Sequence, residues 1–118
     1  MAIRNLTNRK VLASNSKICT STFSKALGLM FSKKIKDRGF VFVFNREQRI
    51  MLHMVFVFFP IDILFLDSNN RVVDIKQNAR PFQLRIAPRA KASYVIELPT
   101  STISKSGTKV GDMIKFSD

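Results

Sequence analysis

Two residues that could do acid–base chemistry, His53 and Asp62, lie inside one apolar stretch of the sequence, residues 50–66 (IMLHMVFVFFPIDILFL). An ionised carboxylate in apolar surroundings is costly unless it is paired or hydrogen-bonded. Asp62 therefore either accepts hydrogen bonds from backbone N–H groups at the bend after Pro60, or it faces a ligand. His53 leaves the same choice between a satisfied core residue and a donor, acid or base in a binding site.

Most enzyme signatures are absent from the sequence. It contains no GxxxxGK[ST], GxGxxG, HExxH or GxSxG motif. Its only cysteine, Cys19, and its only histidine cannot form a structural zinc site, and one cysteine cannot form an intramolecular disulfide. We therefore predict no cofactor and no metal. An enzyme that uses Asp62 and His53 stays open as an alternative, although a role without catalysis is favoured.

The sequence gives two indications of where the protein works. The N-terminus, MAIRNLTNRK, is polar and basic and lacks the apolar segment of a secretory signal. The apolar stretch is shorter than the roughly 20 residues of a membrane-spanning helix, and Pro60 and Asp62 interrupt it. We therefore expect a cytoplasmic protein without a membrane span.

The chain is strongly basic, with a formal net charge of +12 from 20 basic and 8 acidic residues. Residues 1–59 contribute +9 (11 basic, 2 acidic), and residues 60–118 contribute +3 (9 basic, 6 acidic). Such a field attracts nucleic acid, anionic lipid or acidic proteins. The candidate contacts to nucleic acid or an acidic partner lie in one basic segment: Lys33, Lys34, Lys36 and Arg38. The same segment also fits a solvated turn on a basic, solubilising surface.

Residues 38–44, RGFVFVF, resemble the RNP1 pattern of RNA-recognition motifs, in which strand aromatics stack on bases. Phe40 and Phe42 would then contact bases, and Arg38 a phosphate. The match is partial, because Val41 and Asn45 replace a small residue and an aromatic one, and no helix is predicted to follow. A turn glycine followed by a core strand explains the same residues without RNA.

Strand signals recur at short spacing along the chain. β-branched and aromatic residues predict strands over residues 40–44, 50–58, 61–66, 71–76, 92–98 and 113–116. Turns are predicted at residues 15–16 and 45–49, a short helix over residues 22–31, and one helical turn within residues 100–109. At 118 residues, the chain fits a single all-β domain, or a β-rich domain with one short helix, built as a sandwich or barrel.

Six segments, in their order along the chain, resemble the family of uncharacterised proteins called domain of unknown function 192. They are residues 28–30 (GLM), 39–44 (GFVFVF), 60–67 (PIDILFLD), 68–71 (SNNR), 94–98 (YVIEL) and 110–112 (VGD). Many members carry W-M-K-N-T before the proline. Here His53 precedes Met54, and apolar residues follow, so the sequence looks like an archaeal-type variant.

The resemblance implies a compact, single-domain β-sandwich of jelly-roll character. Residues 1–19 would be an N-terminal strand segment packed on a domain of residues 20–116. The resemblance implies no established activity.

The function that these observations favour is the binding of a small ligand or a partner, without catalysis. The candidate site, suited to a small anionic or sugar-like ligand, consists of His53, Met54, Asp62, Arg80, Arg89 and Glu97. His53 and Asp62 are out of phase for one continuous strand, so they share a site only if the chain bends at Pro60. Binding of nucleic acid or an acidic partner through the basic segment is the first alternative, and an enzyme that uses Asp62 and His53 is the second.

Overall fold

The computed structural model describes residues 2–19, 38–48, 50, 60–80, 86 and 88–116. The predicted helix over residues 22–31 and most of the predicted strand over residues 50–58 lie outside this part of the chain. The strands and the helix within it are β1 (Ile3–Asn5), β2 (Lys10–Ala13), β3 (Asn15–Cys19), β4 (Arg38–Gln48), β5 (Ile61–Leu66), β6 (Val72–Ala79), β7 (Ala92–Pro99), α1 (Thr102–Ser106) and β8 (Ile114–Lys115).

The strands form two sheets. The large sheet has the order β3-β4-β7-β5-β6, and the small sheet has the order β2-β1-β8. β3 runs parallel to β4, whereas the other pairs of both sheets are antiparallel. The prediction of a single-domain, β-rich sandwich with a short helix is thereby confirmed. Its finer description as a jelly roll stays a prediction.

β5 is buried along its whole length because it lies inside the large sheet and both of its faces are covered. Ile61, Ile63 and Phe65 belong to a cluster on one face, which also contains aromatic residues of β4. Leu64 and Leu66 belong to a second cluster, which includes residues of the small sheet. A strand covered on both faces loses the alternation of apolar and polar residues, and this explains why Asp62 is the only polar residue in the run IDILFL.

The large and small sheets approach each other closely at Gly39 of β4. A Cβ atom at this position would overlap Cδ1 of Ile3 and would lie 3.1 Å from Cδ2 of Leu98. Ile3 and Leu98 are both fully buried. Gly39 is therefore required for space between the sheets, not for an unusual backbone conformation.

We expect Gly39→Ala to lower the free energy of unfolding by about 1–3 kcal/mol, the usual cost of overpacking a core. Urea titration measures the loss. Ile3→Val deletes the Cδ1 atom that the new methyl group meets, so the double variant should regain part of the stability lost by the alanine variant. No recovery in the double variant would show that this contact is not the cause.

Two predicted turns are strands in the structure. Asn15 and Ser16 begin β3, where they pair with Arg38 and Gly39 of β4. Residues 45–48 extend β4 beyond the predicted turn, and Gln48 pairs with Ala92 after an irregularity in the ladder. In both places, pairing with a strand distant in sequence outweighs the local turn preference of polar residues.

Candidate functional site

Both carboxylate oxygens of Asp62 accept hydrogen bonds from backbone amides. Its Oδ1 accepts a hydrogen bond of 2.9 Å from the N–H of Asn78, and its Oδ2 accepts one of 2.9 Å from the N–H of Ile103. Ile103 lies in the first turn of α1, whose N-cap residue Ser101 makes no side-chain capping bond. Asp62, only 1% exposed, therefore caps this helix from β5 and ties it to β6.

Asp62 and Glu97 lie on opposite faces of the large sheet. Ile63 of β5 pairs with Glu97 of β7, so these two side chains share a face. Asp62 is the neighbour of Ile63 along β5, and its side chain therefore points to the other face. The two predicted acids consequently cannot contact one ligand from the same side of the sheet.

Glu97 occupies the middle of a row of residues across the large sheet. Phe40 and Ile63 flank it on the neighbouring strands. Lys17 pairs with Phe40 and Lys76 pairs with Ile63, so a lysine stands at each end of the row. Burial raises the pKa of Glu97 from 4.5 to about 8. At neutral pH its main form is therefore the neutral acid, which can donate a hydrogen bond.

Cys19 belongs to the apolar cluster on the Glu97 face and is 1% exposed. Burial raises the pKa of its thiol, while the charge of Lys17 lowers this pKa and that of Glu97 raises it. The thiolate is the reactive form of cysteine, and a buried thiol with a raised pKa forms little of it. Cys19 is thus suited to packing and not to nucleophilic catalysis.

The two arginines of the predicted site lie near β6, which is an edge strand of the large sheet. Asp74 of β6 accepts hydrogen bonds of 2.8 Å from the backbone N–H groups of Ile75 and Arg89. Lys76 places its Nζ 4.0 Å from Oδ2 of Asp74. Asp74 thereby anchors the backbone of Arg89. Arg89 is exposed, and so is Arg80, which follows the end of β6.

Several predicted site residues lie outside the described part of the chain: His53, Met54, Lys33, Lys34 and Lys36. The ligand set therefore stays a prediction as a whole. Among its described members, Asp62 is engaged with backbone amides, whereas Glu97 has no hydrogen bond or ion pair with the residues that the structure describes.

The RNP1-like segment forms core rather than a platform for bases. Phe40 and Phe42 are 6% and 5% exposed. The guanidinium carbon of the exposed Arg38 lies 5.6 Å from the ring centroid of Phe40. Base stacking needs an accessible ring face, so these two phenylalanines cannot stack on RNA in this fold.

A basic surface in the described part of the chain is the side of the small sheet that faces away from the large sheet. We call it the outer face, and its residues are Arg4, Leu6, Val11, Arg71, Met113 and Lys115. Arg4 stands between Val11 and Lys115 in one row across the sheet. Met113 stands between Leu6 and Arg71 in the next row. A backbone hydrogen bond joins it to Leu6, and an isolated β-bridge joins it to Arg71. Cations and apolar side chains therefore share this face, and neither row contains an acid.

A buried asparagine holds the turn beside the outer face. Asn5 is completely buried, and its Oδ1 accepts hydrogen bonds from the N–H groups of Thr7 and Asn8. Its Nδ2 donates to Thr108 Oγ1 (3.1 Å) and to Asp112 Oδ2 (2.8 Å). All of its hydrogen-bonding capacity is used. The turn, which ends at the exposed Arg9 just before Lys10 of β2, is thus fixed to the segment before β8.

Sequence reasoning located the basic charge in the N-terminal half but missed Arg4 and Lys115. The available signal was the alternation in two short strands. Ile3 and Asn5 are buried while Arg4 is exposed, and Ile114 is buried while Lys115 is exposed. Such alternation marks a strand with one face toward solvent, but it does not reveal that the first and last strands pair.

Comparisons with known proteins agree with this fold. The family DUF192 (Uncharacterized ACR) matches residues 4–116. A UPF0127 protein from Thermococcus sibiricus is 36% identical over 114 residues, which cover 95% of this chain and 72% of that protein. A UPF0127 protein from Pyrococcus horikoshii is 39% identical over 102 residues, which cover 85% of each.

A solved structure shares the architecture. The crystal structure of a protein of unknown function from Novosphingobium aromaticivorans has a TM-score of 0.86 and 24% identity, over 98% of this chain and 82% of that one. In the described residues, no helix has both the length and the apolar character needed to cross a membrane. The family match spans nearly the whole sequence and the relatives are archaeal. The chain therefore belongs to the DUF192 family, as its ordered segments predicted.

Proposed function

We propose that this protein is a binding domain that docks on an anionic partner through the outer face. The observation that carries the proposal is the distribution of charge around the small sheet. Residues 2–13 and 100–116 contain six exposed cations: Arg4, Arg9, Lys10, Lys105, Lys109 and Lys115. The one acid in these ranges, Asp112, is 3% exposed. Positive charge with no exposed acid in these two ranges favours contact with an anionic surface.

The side chain of Asp112 does not project into solvent, where it would weaken the positive field. Its Oδ2 accepts hydrogen bonds from Nδ2 of Asn5 and from the backbone N–H of Lys109. Its role is to join the turn before β8 to the end of β1. The cations are therefore presented by a rigid support, and a preorganised surface loses less conformational entropy on binding.

The described acids also favour binding over catalysis. Asp62 and Asp74 each use both carboxylate oxygens on backbone amides. An acid held in this way is poorly placed to transfer a proton to a substrate, because its lone pairs are already directed at donors. Catalysis by Asp62 with His53 thus receives no support from the surroundings of Asp62.

Fluorescently labelled heparin, a soluble polyanion, tests the proposal in fluorescence titrations at several salt concentrations. We expect Arg4→Gln combined with Lys115→Gln to weaken heparin binding about tenfold, or roughly 1.4 kcal/mol, because the two cations are neighbours on the outer face. We also expect binding to weaken as salt rises.

The matched control is Arg46→Gln combined with Lys91→Gln, which removes an exposed Arg of β4 and an exposed Lys just before β7. This variant should bind heparin nearly as well as the wild type. Equal losses in both variants would reduce the effect to net charge, and a wild type that binds no anionic probe at low salt would end the proposal.

Small-ligand binding, the function that the sequence favours, is a second candidate. One observation supports it: Glu97 lies on an apolar sheet face, and burial raises its pKa to about 8. Perturbed carboxyl groups are frequent at binding sites, although they also occur in cores. A neutral Glu97 would donate a hydrogen bond to an oxygen of a sugar-like ligand.

A further inference from the structure

We infer that the anionic partner of the outer face is the surface of an anionic lipid bilayer, which the domain contacts with the small sheet laid against the headgroups. This inference rests on the proposed function and names its partner. It follows from the apolar residues on the outer face, from the absence of aromatic residues there, and from the size of the face.

The exposed large apolar side chains coincide with the basic surface. In the described residues they are Leu6 (49% exposed), Val11 (55%) and Val110 (58%). Leu6 and Val11 lie on the outer face itself. Val110 precedes Gly111, whose carbonyl oxygen accepts a 2.8 Å hydrogen bond from Nη1 of Arg71. Single exposed apolar residues are common on soluble proteins, but here all three lie among cations.

A face that combines cations and aliphatic side chains fits a lipid surface better than a nucleic acid. Phosphate contacts to a duplex use cations and hydrogen-bond donors, which leaves Leu6, Val11 and Met113 without a role. Single strands require aromatic side chains for stacking, and the outer face has none. At a bilayer, aliphatic side chains enter the region between headgroups and acyl chains, while Lys and Arg contact lipid phosphates.

The size of the outer face argues against a protein partner. The three strands have three, four and two residues, so at about 4.8 Å between strands and about 3.3 Å per residue the sheet covers a flat area of roughly 140 Å². A stable protein interface buries about 800 Å² on each partner. A bilayer needs no complementary shape, and a few charges with a few inserted side chains suffice for reversible attachment.

The chain contains no tryptophan, so Leu6→Trp installs a single fluorescent reporter on the outer face. We expect its emission to shift to the blue with vesicles of mixed phosphatidylcholine and phosphatidylglycerol, and brominated acyl chains to quench it. Vesicles of phosphatidylcholine alone should cause neither effect. Gln77→Trp, at an exposed position of β6, is the control and should show no shift with either vesicle.

A second variant separates apolar insertion from charge. Leu6→Gln combined with Val11→Thr keeps the net charge and should lower partition onto the mixed vesicles about tenfold, while heparin binding stays at the wild-type level. Equal partition of this variant and the wild type would overturn the inference. Binding to heparin or duplex DNA without binding to vesicles would also overturn it but leave the proposed function standing. Loss of binding to all three probes would end both.

Discussion

Replacing Asp62 with Asn should lower the free energy of unfolding by about 2–4 kcal/mol, with little dependence on any ligand. Both carboxylate oxygens accept backbone hydrogen bonds in a site that is 1% exposed. Asparagine supplies one oxygen, and its NH₂ group would face either the N–H of Asn78 or that of Ile103. A buried or partly buried donor then loses its acceptor, and hydrogen bonds to charged groups contribute roughly 1.5–3 kcal/mol each. Urea unfolding followed by circular dichroism measures the loss.

Asp67→Asn is the matched control, because the same chemical change falls five residues along the chain. Oδ1 of Asp67 alone accepts the hydrogen bonds from the N–H groups of Asn69 and Arg71. An asparagine oxygen can keep both, so we expect a loss below about 1 kcal/mol. If Asp62→Asn were as stable as Asp67→Asn while a binding activity disappeared, Asp62 would be a ligand-facing acid and not a structural tie.

Local sequence predicted much of the sandwich because its strands carry their own signals. The prediction of a strand over residues 61–66 coincides with β5, Ile61–Leu66, whose apolar run is compact and bounded by Pro60 and Asp67. The helical turn predicted within residues 100–109 is α1, Thr102–Ser106. In both places, residues in or next to the element in the sequence indicate its position.

The arrangement of the candidate site was harder to predict from the sequence than the strands, because it depends on contacts between residues far apart in the chain. Sequence reasoning expected the donors to Asp62 at the bend after Pro60, but they come from β6 and α1. Arg4 and Lys115, at opposite ends of the chain, become neighbours only through the pairing of β1 with β8. No local pattern specifies which strands will pair, so neither the contacts of Asp62 nor the outer face could be derived from composition and spacing.

The largest pH effect is expected at Glu97. Its pKa rises through burial from 4.5 to about 8 in the folded chain. The folded state therefore binds a proton more tightly than the unfolded state, and stability from this group is fully present below pH 4.5. It is lost as the pH rises from 4.5 through 8, because the folded chain must then ionise a buried acid or release it to water.

Glu97→Gln removes this ionisation while keeping the size and polarity of the side chain. At pH 9 we expect the variant to raise the free energy of unfolding by on the order of 2 kcal/mol. This is less than the full pKa shift would give at about 1.4 kcal/mol per pKa unit, because Glu97 keeps some contact with solvent. At pH 4 the variant and the wild type should be nearly equal. Urea titrations from pH 4 to pH 9 measure the difference.

Glu47→Gln changes the other glutamate, an exposed residue of β4, and should show no comparable rise between the two pH values. A ligand that accepts a hydrogen bond from Glu97 would add a second signature. It would protect the wild type more strongly below pH 8 than above it, and it would protect Glu97→Gln about equally at both, because glutamine donates at every pH. A wild type whose stability rises between pH 5 and pH 8 relative to Glu97→Gln would instead show that the carboxylate is the stabilised form, and Glu97 would then be a paired anion rather than a buried acid.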